Sequence, residues 1–512
     1  MSDTAVRSKL TQEEINNVLW RACDTFRGKT DSSVYKDYIL VMLFVKYLSD
    51  TYKEHYEEYS HKYNGDAARI ERALQRDRFS LNEASTFDYL YKHRNATDIG
   101  EKIDKALEHI EESNKAKLRG VFRNISFNSE VNLGKTRERN PMLRHLLEDF
   151  AALDLRPSNL PSTDVIGDSY EYMIARFASD AGKKGGEFFT PSMVSELMAR
   201  LVNPQENDRI YDPTCGSGSL LIRAFKKVPN KKAQIYGQER NAQTHSLCRM
   251  NMFLHGIDDA KIEWGDTLSN PLHLEHDKLM KFQVVVANPP FSLDKWAMGF
   301  ASQSDDKFTM EAALDPHNRF EWGVPPRSKG DFAFVQHMLY SLDEGGRMAI
   351  VLPHGVLFRG AAEGKIRRQI VEMNLLDAVV GLPENLFYGT GIPAAILVCR
   401  KNRKRQEVLF IDASGAEHYR KEKTQNVLTE EGLQRITAAY QNYAVIDGFA
   451  CLATKAEIQE NDFNLNIPRY VDTFQEEAPV DMEAVKQHIY RIEAELRQVK
   501  EKMGSYLTEL GL

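Results

Sequence analysis

Tyr211-Asp212-Pro213-Thr214-Cys215-Gly216-Ser217-Gly218-Ser219-Leu220-Leu221 combines the end of an apolar strand, a glycine-containing turn and the start of a helix. Glycine lets a ligand approach the backbone closely, and free amide groups at a helix start favour a negatively charged group. The stretch lacks the third glycine of a dinucleotide loop and the Gly-Lys-Ser/Thr of a phosphate loop, which counts against NAD and ATP. The stretch therefore predicts a strand, a loop and a helix that together bind a ligand other than NAD or ATP.

Short apolar runs alternate with helical stretches from Arg209 to Cys399. This alternation predicts an α/β fold with a Rossmann-like, doubly wound parallel sheet, in which ligands bind beyond the carboxyl ends of the strands. The candidate strands are residues 209–211, 234–237, 261–264, 282–287, 347–352, 378–382 and 394–399.

Acidic residues follow the next two candidate strands. Glu239 follows the second strand, where it can accept hydrogen bonds from both hydroxyl groups of a ribose. Asp266 follows the third strand, where its carboxylate can accept from an adenine amino group. A single acid at a strand end is usually a solvated loop residue, but three consecutive strands that end in suitable groups favour a nucleoside site.

The fourth strand runs directly into Asn288-Pro289-Pro290-Phe291. The two prolines fix the backbone and remove two donors, which leaves carbonyl groups facing a cleft. Acceptors beside an aromatic ring suit a planar amino group that is conjugated to a ring. A rigid turn alone would explain the prolines but not the asparagine and the phenylalanine.

The two ends of the chain have helical patterns. Residues 1 to about 180 begin with a capping box at Thr11–Glu14, and residues 38–48 are apolar nearly all round, which predicts a buried helix. Near the carboxyl terminus, apolar residues spaced alternately by three and four predict a coiled-coil-like helix that needs a partner, either in this chain or in another subunit. This seam consists of Met482, Val485, Ile489, Ile492, Leu496, Val499, Met503, Tyr506 and Leu510.

The composition predicts a folded cytoplasmic protein. The 512 residues carry a formal net charge of -7, so the whole-protein field does not favour nucleic acid. Five widely spaced cysteines suggest neither a disulfide framework nor a zinc site, and no apolar run approaches a membrane span.

Three motifs now make a family resemblance visible. DPTCGSGSLL, GDTL and NPPF, in that order, resemble the S-adenosylmethionine loop, the adenine pocket and the catalytic tetrapeptide of amino-group DNA methyltransferases. Gly186-Glu187-Phe188-Phe189-Thr190-Pro191 looks like an additional cofactor motif of that group. The segments 35–50 and 466–471 are similar to parts of the modification subunits of type I restriction-modification systems.

The resemblance implies an S-adenosylmethionine-dependent N6-adenine DNA methyltransferase. It implies that residues near the methionine end of the cofactor are Glu187, Phe188, Phe189, Thr190, Pro191, Ser192, Gly216, Ser217, Gly218 and Ser219. It also places Asp212 near the cofactor's amino group, Glu239 at its ribose and Asp266 at its adenine. Cys215-Gly216-Ser217 departs from the small residues of many relatives, which leaves individual contacts open.

The resemblance further implies partners and domains. Sequence recognition would come from a specificity subunit bound by two modification subunits, with a restriction subunit in the full complex and duplex DNA as substrate. The expected divisions are a helical domain at 1–160, a catalytic domain at 161–405 and a carboxyl-terminal region at 406–512 with an assembly helix at 481–510.

A mechanism follows as a hypothesis. The Asn288 side-chain oxygen and the Pro289 carbonyl would accept the two N–H groups of a flipped adenine, localising the nitrogen lone pair, while Phe291 stacks on the base. No metal is needed. The segment from Phe291 to a helix at Asp331 is expected either to order over DNA or cofactor or to be disordered. The basic run 400–405 is either a solvated turn or a phosphate contact.

The sequence leaves three alternative functions open. A protein glutamine methyltransferase uses a similar tetrapeptide, although such chains are shorter. A cytosine N4 methyltransferase more often has serine where Asn288 stands. A catalytically silent scaffold is the alternative without enzyme activity.

Overall fold

A computed structural model describes residues 9–28, 31–162, 164–181, 189–300, 310–472 and 482–509. The chain divides into one compact unit at Met1–Val471 and a second unit at Asp472–Leu512.

The amino-terminal part is helical, as predicted. The Thr11–Glu14 capping box is present, and the side chains of residues 38–48 are all buried, including that of Lys46, whose Nζ pairs with Asp50 at 2.6 Å within the core. The helices are α1 Gln12–Asp24, α2 Ser32–Lys62, α3 Ala67–Leu74, α4 Phe87–Lys92, α5 Ile99–Ser113, α6 Lys115–Leu118, α7 Glu130–Leu133, α8 Thr136–Ala151 and α9 Asp164–Ala181.

All seven predicted strands form, and all belong to one nine-stranded sheet within the described residues. Its order is β13-β10-β8-β9-β7-β6-β1-β2-β3. The described strands are β1 Arg209–Asp212, β2 Gln234–Glu239, β3 Lys261–Trp264, β4 Leu274–Glu275, β5 Lys278–Leu279, β6 Phe282–Ala287, β7 Leu342–Pro353, β8 Leu376–Gly381, β9 Ala394–Arg400, β10 Val408–Asp412, β11 Tyr419–Lys421, β12 Asn426–Leu428 and β13 Ala450–Ala453.

The predicted doubly wound sheet forms, but it is mixed rather than wholly parallel. Strand β9 lies antiparallel between β7 and β8, and β13 lies antiparallel beside β10. Strands β10 and β13 also belong to the sheet, although they lie beyond the last candidate strand at residues 394–399. Apolar content identifies a buried strand but carries no information on its direction, since both kinds of neighbour bury the same side chains.

Helices cover both faces of the sheet. One face packs its core against α10, α11 and α15, and the other packs against α13, α14 and α16. The helices of this part are α10 Ser192–Val202, α11 Ser219–Lys227, α12 Ala242–Leu254, α13 Asp331–Ser341, α14 Ala361–Glu372, α15 Glu430–Asn442 and α16 Lys455–Glu460. The fold is therefore doubly wound, and the carboxyl ends of the parallel strands β1, β2, β3, β6 and β7 share one edge.

The helical part and the sheet part of the first unit are joined through α12. Leu247, Phe253 and Leu254 of this helix belong to the core of the amino-terminal helices. Just beyond α12, Asp258 accepts hydrogen bonds from Arg78 (Nε to Oδ2, 2.8 Å) and pairs with Lys117 at 3.2 Å. Because α12 follows β2 directly, the helical part braces an element that begins at the functional edge of the sheet.

The second unit contains the helix α17 Met482–Glu509. Its predicted apolar seam is exposed from Val485 to Tyr506, with Val499 retaining 62% of its accessible surface. Leu510 and Asp481 lie outside the described residues. Across the part of the chain that the structure describes, no helix is long and apolar enough to span a membrane.

Candidate active site

The loop after β1 brings a buried carboxylate to the sheet edge. The side chain of Asp212 accepts a hydrogen bond from the Thr214 backbone N–H at 2.9 Å, and Asp212 is only 2% exposed. Burial raises the pKa of Asp212 to about 8, the Thr214 N–H opposes the rise, and the charge of Glu239 adds to it. A carboxylate with so large a cost of ionisation suits a cationic ligand group.

Glycine in this loop is required by space and by conformation. Gly218 has φ +84, and a Cβ at this position would lie 2.7 Å from Met252 Cε and 2.9 Å from Cys248 Sγ. The loop can therefore pack onto α12 and start α11 only with glycine at this position. Asn251 on α12 further fixes the loop, because its Nδ2 donates to the Ser217 carbonyl at 3.0 Å.

Glu239 ties the loops after β1 and β2 together. Its carboxylate accepts from the backbone N–H groups of Gly216 at 3.0 Å and Asn241 at 2.7 Å. Burial raises the pKa of Glu239, although these N–H groups oppose the rise. A carboxylate can accept about four hydrogen bonds, so acceptor capacity remains for a ligand.

The loop after β3 joins the same assembly. Asp266 Oδ1 accepts from the backbone N–H groups of Leu268 and Ser269, and its Oδ2 lies 3.6 Å from Arg240 Nη1. The Thr267 hydroxyl donates to the Pro213 carbonyl at 2.6 Å. The three predicted cofactor residues Asp212, Glu239 and Asp266 therefore lie on three loops that contact one another.

Asn288 stands at the carboxyl end of β6, the strand next to β1. Its Nδ2 donates to Thr190 Oγ1 at 3.1 Å, which joins two residues predicted separately for catalysis and for cofactor binding. Its Oδ1 is buried and accepts no hydrogen bond from the residues that the structure describes. A buried acceptor without a partner costs about 1–3 kcal/mol, so this oxygen is suited to a donor from a ligand.

Two aromatic pairs connect the tetrapeptide and the additional cofactor motif to the loop after β8. Phe291 lies edge-on to Phe387, with ring centroids 5.5 Å apart, and Phe189 lies 6.0 Å from Tyr388. Phe387 and Tyr388 belong to the loop after β8, which the sequence did not identify as part of the site. Both contacts join segments about 100 or more positions apart, and a single sequence carries no signal for such pairs.

The additional cofactor motif is described only in part. Glu187 and Phe188 lie outside the described residues, whereas Pro191 precedes α10 and Ser192 begins it. Phe189, Ser192 and Ser219 line a cavity of about 400 Å³. Two segments predicted for the methionine end of the cofactor therefore meet at one cavity.

The segment after the tetrapeptide is anchored by a buried ion pair. The Arg319 guanidinium binds the Asp315 carboxylate at 2.8 Å, with both side chains 0% exposed. It also donates to the carbonyls of Thr267 and Leu268 and to His337 Nδ1 at 3.1 Å. The described residues 310–330 are therefore fixed to the loop that carries Asp266.

Two further polar residues hold the chain just after Phe291, and sequence reasoning missed both. Asp331, at the predicted helix start, accepts from the Ser292 N–H at 2.8 Å, and Arg359 Nη1 lies 2.9 Å from its Oδ2. An aspartate at a helix start ordinarily suggests only a cap.

The basic run 400–405 lies at the other edge of the sheet, because it follows the antiparallel strand β9. Arg403 is buried against Asp377 at 2.7 Å, and Lys401 Nζ donates to the Leu342 carbonyl at 2.8 Å. These two residues have structural partners. A cavity of about 570 Å³ at the same edge is lined by Lys281, Trp322 and Lys401, away from the tetrapeptide, so we do not assign it as the active site.

The fold places the chain in the class of S-adenosylmethionine-dependent methyltransferases. The N-6 DNA Methylase family model matches residues 161–478, and the HsdM N-terminal domain model matches residues 15–150. The chain belongs to the methylase subunits of type I restriction enzymes, and it is an adenine-specific DNA methyltransferase.

Relatives cover nearly the whole chain. The type I restriction enzyme MpnII methylase subunit of Mycoplasma pneumoniae is 32% identical over 98% of this chain and 98% of its own length. The HindI methylase subunit of Haemophilus influenzae is 34% identical over 74% of this chain and 84% of its own. The crystal structure of the type I methyltransferase subunit from Streptococcus thermophilus has a TM-score of 0.77 at 34% identity and covers 90% of this chain and 100% of its own. These matches do not favour a glutamine methyltransferase or a silent scaffold.

Proposed function

We propose that the loops after β1, β2 and β3 bind S-adenosylmethionine. Asp212 would accept from its amino group, Glu239 from its ribose hydroxyls and Asp266 from its adenine amino group. The contacts among these loops and the raised pKa of Asp212 support the assignment. Residues 187–192 and 216–219 would border the methionine end, consistent with the cavity that Ser192 and Ser219 share.

Asn288 is the proposed catalytic residue. The observation that carries the proposal is its buried Oδ1, which accepts no hydrogen bond from the residues described. When bound, the cofactor supplies an electrophilic methyl group. The N6 lone pair of adenine is delocalised into its ring, so the Asn288 Oδ1 and the Pro289 carbonyl accept the two N–H groups and localise the pair on nitrogen. Thr190 holds the amide in this orientation through its 3.1 Å contact.

The target adenine must leave the duplex to reach these acceptors, at a cost of a few kcal/mol of unstacking. Phe291, the last residue of the tetrapeptide, would stack on the flipped base. Its contact with Phe387 would hold its ring in place for this stacking. Pro290 fixes the turn between the acceptors and this ring. The protein's contribution is then positioning rather than covalent chemistry.

The test replaces Asn288 with Ala. Loss of one preorganised hydrogen-bonding group costs about 10²–10³-fold in rate, so we expect methyl transfer to fall at least that far while cofactor affinity is retained. Transfer is measured in the complex with the specificity subunit, using labelled cofactor and duplex DNA, and affinity is measured by titration calorimetry. Asn442→Ala, at an exposed position of α15, is the matched control. Retained methylation by the Asn288 variant would refute the role.

We also propose that a specificity subunit supplies sequence recognition, with two methylase subunits to one specificity subunit and a restriction subunit in the full complex. The exposed apolar seam of α17 and the net charge of -7 support a recognition role outside this chain. The division at 160 and 405, with assembly through α17, stays a prediction.

A further inference from the structure

The residue after the catalytic tetrapeptide has a constrained backbone. Ser292 has φ +51, a left-handed conformation that a residue with a side chain rarely adopts unless its surroundings impose it. The contact that holds Ser292 in this conformation is the hydrogen bond from its N–H to Asp331 Oδ1 at 2.8 Å. Asp331 is fully buried at the start of α13. The direction in which the chain leaves Phe291 is therefore set by a carboxylate from a different element.

Arg359 completes this arrangement from the turn after β7. Its Nη1 lies 2.9 Å from Asp331 Oδ2 and 3.3 Å from Glu363 Oε1, and its Nη2 donates to Ser292 Oγ at 3.4 Å. Gly355 makes room for it, because a Cβ there would lie 2.8 Å from Arg359 Nε. Without the guanidinium, the buried carboxylates of Asp331 and Glu363 would lose the only cation described in hydrogen-bonding distance of both, although Lys329 and Arg367 still act on Glu363 at longer range.

We propose that Asp331 and Arg359 are positioning residues that hold Asn288-Pro289-Pro290-Phe291 against the target base. The inference rests on the proposed function, since it takes Asn288 to be the catalytic residue. Neither positioning residue belongs to the loops after β1, β2 and β3 that would bind the cofactor. Their loss should therefore slow transfer without weakening cofactor binding. A displacement of about 1 Å at a reacting centre costs on the order of 10²-fold in rate.

The experiment compares Arg359→Gln, Arg359→Lys and Asp331→Asn in the complex with the specificity subunit and duplex DNA. We expect Arg359→Gln and Asp331→Asn to lower the single-turnover methylation rate on the order of 10²-fold, with cofactor affinity unchanged in calorimetry. Arg359→Lys keeps the charge and should recover part of the rate. Arg368→Gln is the control, because Arg368 pairs with Glu372 on the exposed side of α14.

Asn288→Ala is measured in parallel, so that failure of this inference can be distinguished from failure of the proposed function. If Asn288→Ala is inactive while Arg359→Gln and Asp331→Asn match the control, the inference is overturned. If Asn288→Ala still methylates, the proposed function fails instead. Equal loss of cofactor affinity and rate in both Arg359 variants, with no recovery by lysine, would replace positioning by a general structural role. Should Asp331→Asn not fold, the two Arg359 variants decide alone.

Discussion

At the scale of single residues, the titration of Asp212 gives a prediction for cofactor binding. With its pKa raised to about 8 by burial, this carboxyl is mostly protonated at pH 7 before a ligand binds. A cationic amino group favours the ionised form, so binding should release a proton. Affinity for S-adenosylmethionine should therefore rise with pH between about 6 and 7.5, below the range where an α-amino group itself loses its proton, about 7.7–8.0.

Calorimetry in buffers of different ionisation enthalpy measures the released proton directly. Asp212→Asn should bind more weakly and lose the pH slope. Without cofactor, the free energy of unfolding changes with pH in the opposite direction to the affinity. The folded state holds the Asp212 proton that the unfolded state loses above its ordinary pKa of 3.8, so the contribution of Asp212 to unfolding free energy decreases as pH rises toward 8. A pH-independent affinity in the unsubstituted protein would contradict the assignment.

At the scale of elements, residues 310–330 depend on Arg319. Replacing it with Met would leave Asp315 buried without a counter-charge and would remove donors from the Thr267 and Leu268 carbonyls. Breaking a buried ion pair from one side costs about 3–5 kcal/mol, so we expect a loss of that size in the free energy of unfolding. Urea titration of the full chain, followed by tryptophan fluorescence, measures it. Trp296, whose ring lies 5.2 Å from Phe320, is a local reporter.

The control for this prediction is Lys53→Met, which removes an exposed partner of Asp88. Exposed ion pairs contribute about 0–1 kcal/mol, so the urea midpoint should hardly move. If Arg319→Met and Lys53→Met had equal midpoints, Arg319 would not be the anchor of the segment. Arg319→Met should also weaken cofactor binding, because the guanidinium no longer holds the carbonyls of the loop that carries Asp266.

The element scale also shows what the sequence could predict. Strong local patterns sufficed for the buried helix at 38–48, for the start of α13 and for the seven strands, because apolar periodicity and capping are local. The direction of β9 and the partners of β10 and β13 were not predictable, since strand pairing is set by tertiary contacts. The strand β10 itself was missed, although its sequence Val408–Asp412 is an apolar run like those of the predicted strands. At the site, loop residues after strands were identifiable from their position. The Thr190–Asn288 and Asp331–Ser292 contacts were not, because they join segments 98 and 39 residues apart.

At the scale of the whole molecule, the charge is distributed unevenly. Residues 472–512 hold nine acidic and five basic side chains, so -4 of the net -7 belongs to the carboxyl-terminal unit. The larger unit is nearly neutral, and it has no strong general attraction to DNA phosphates. This distribution fits a methylase subunit whose DNA affinity depends on a partner.

The exposed seam of α17 is the element that should bind that partner. A single helix with a narrow apolar stripe is marginal in water unless another helix covers the stripe. Deleting residues 475–512 should therefore abolish co-purification with the specificity subunit while sparing cofactor affinity. Unchanged co-purification would remove the hypothesis. The deletion alone cannot separate the stripe from the rest of the helix, so substitutions on two faces of α17 are needed.

Ile492→Asp with Val499→Asp places two charges in the seam, whereas Gln487→Asp with Ala494→Asp places two charges on the opposite face of the same helix. The second pair carries the larger intrinsic helix cost, because it replaces Ala and Gln, which are better helix formers than Ile and Val. Only the first pair buries carboxylates when a partner helix packs, so only the first should abolish co-purification. If the seam instead pairs within this chain, the first pair should lower the thermal stability of the isolated subunit, measured by calorimetry without any partner. Loss of assembly at unchanged stability of the isolated chain would assign the seam to the specificity subunit, because the two aspartates would then disturb an interface that forms only between subunits.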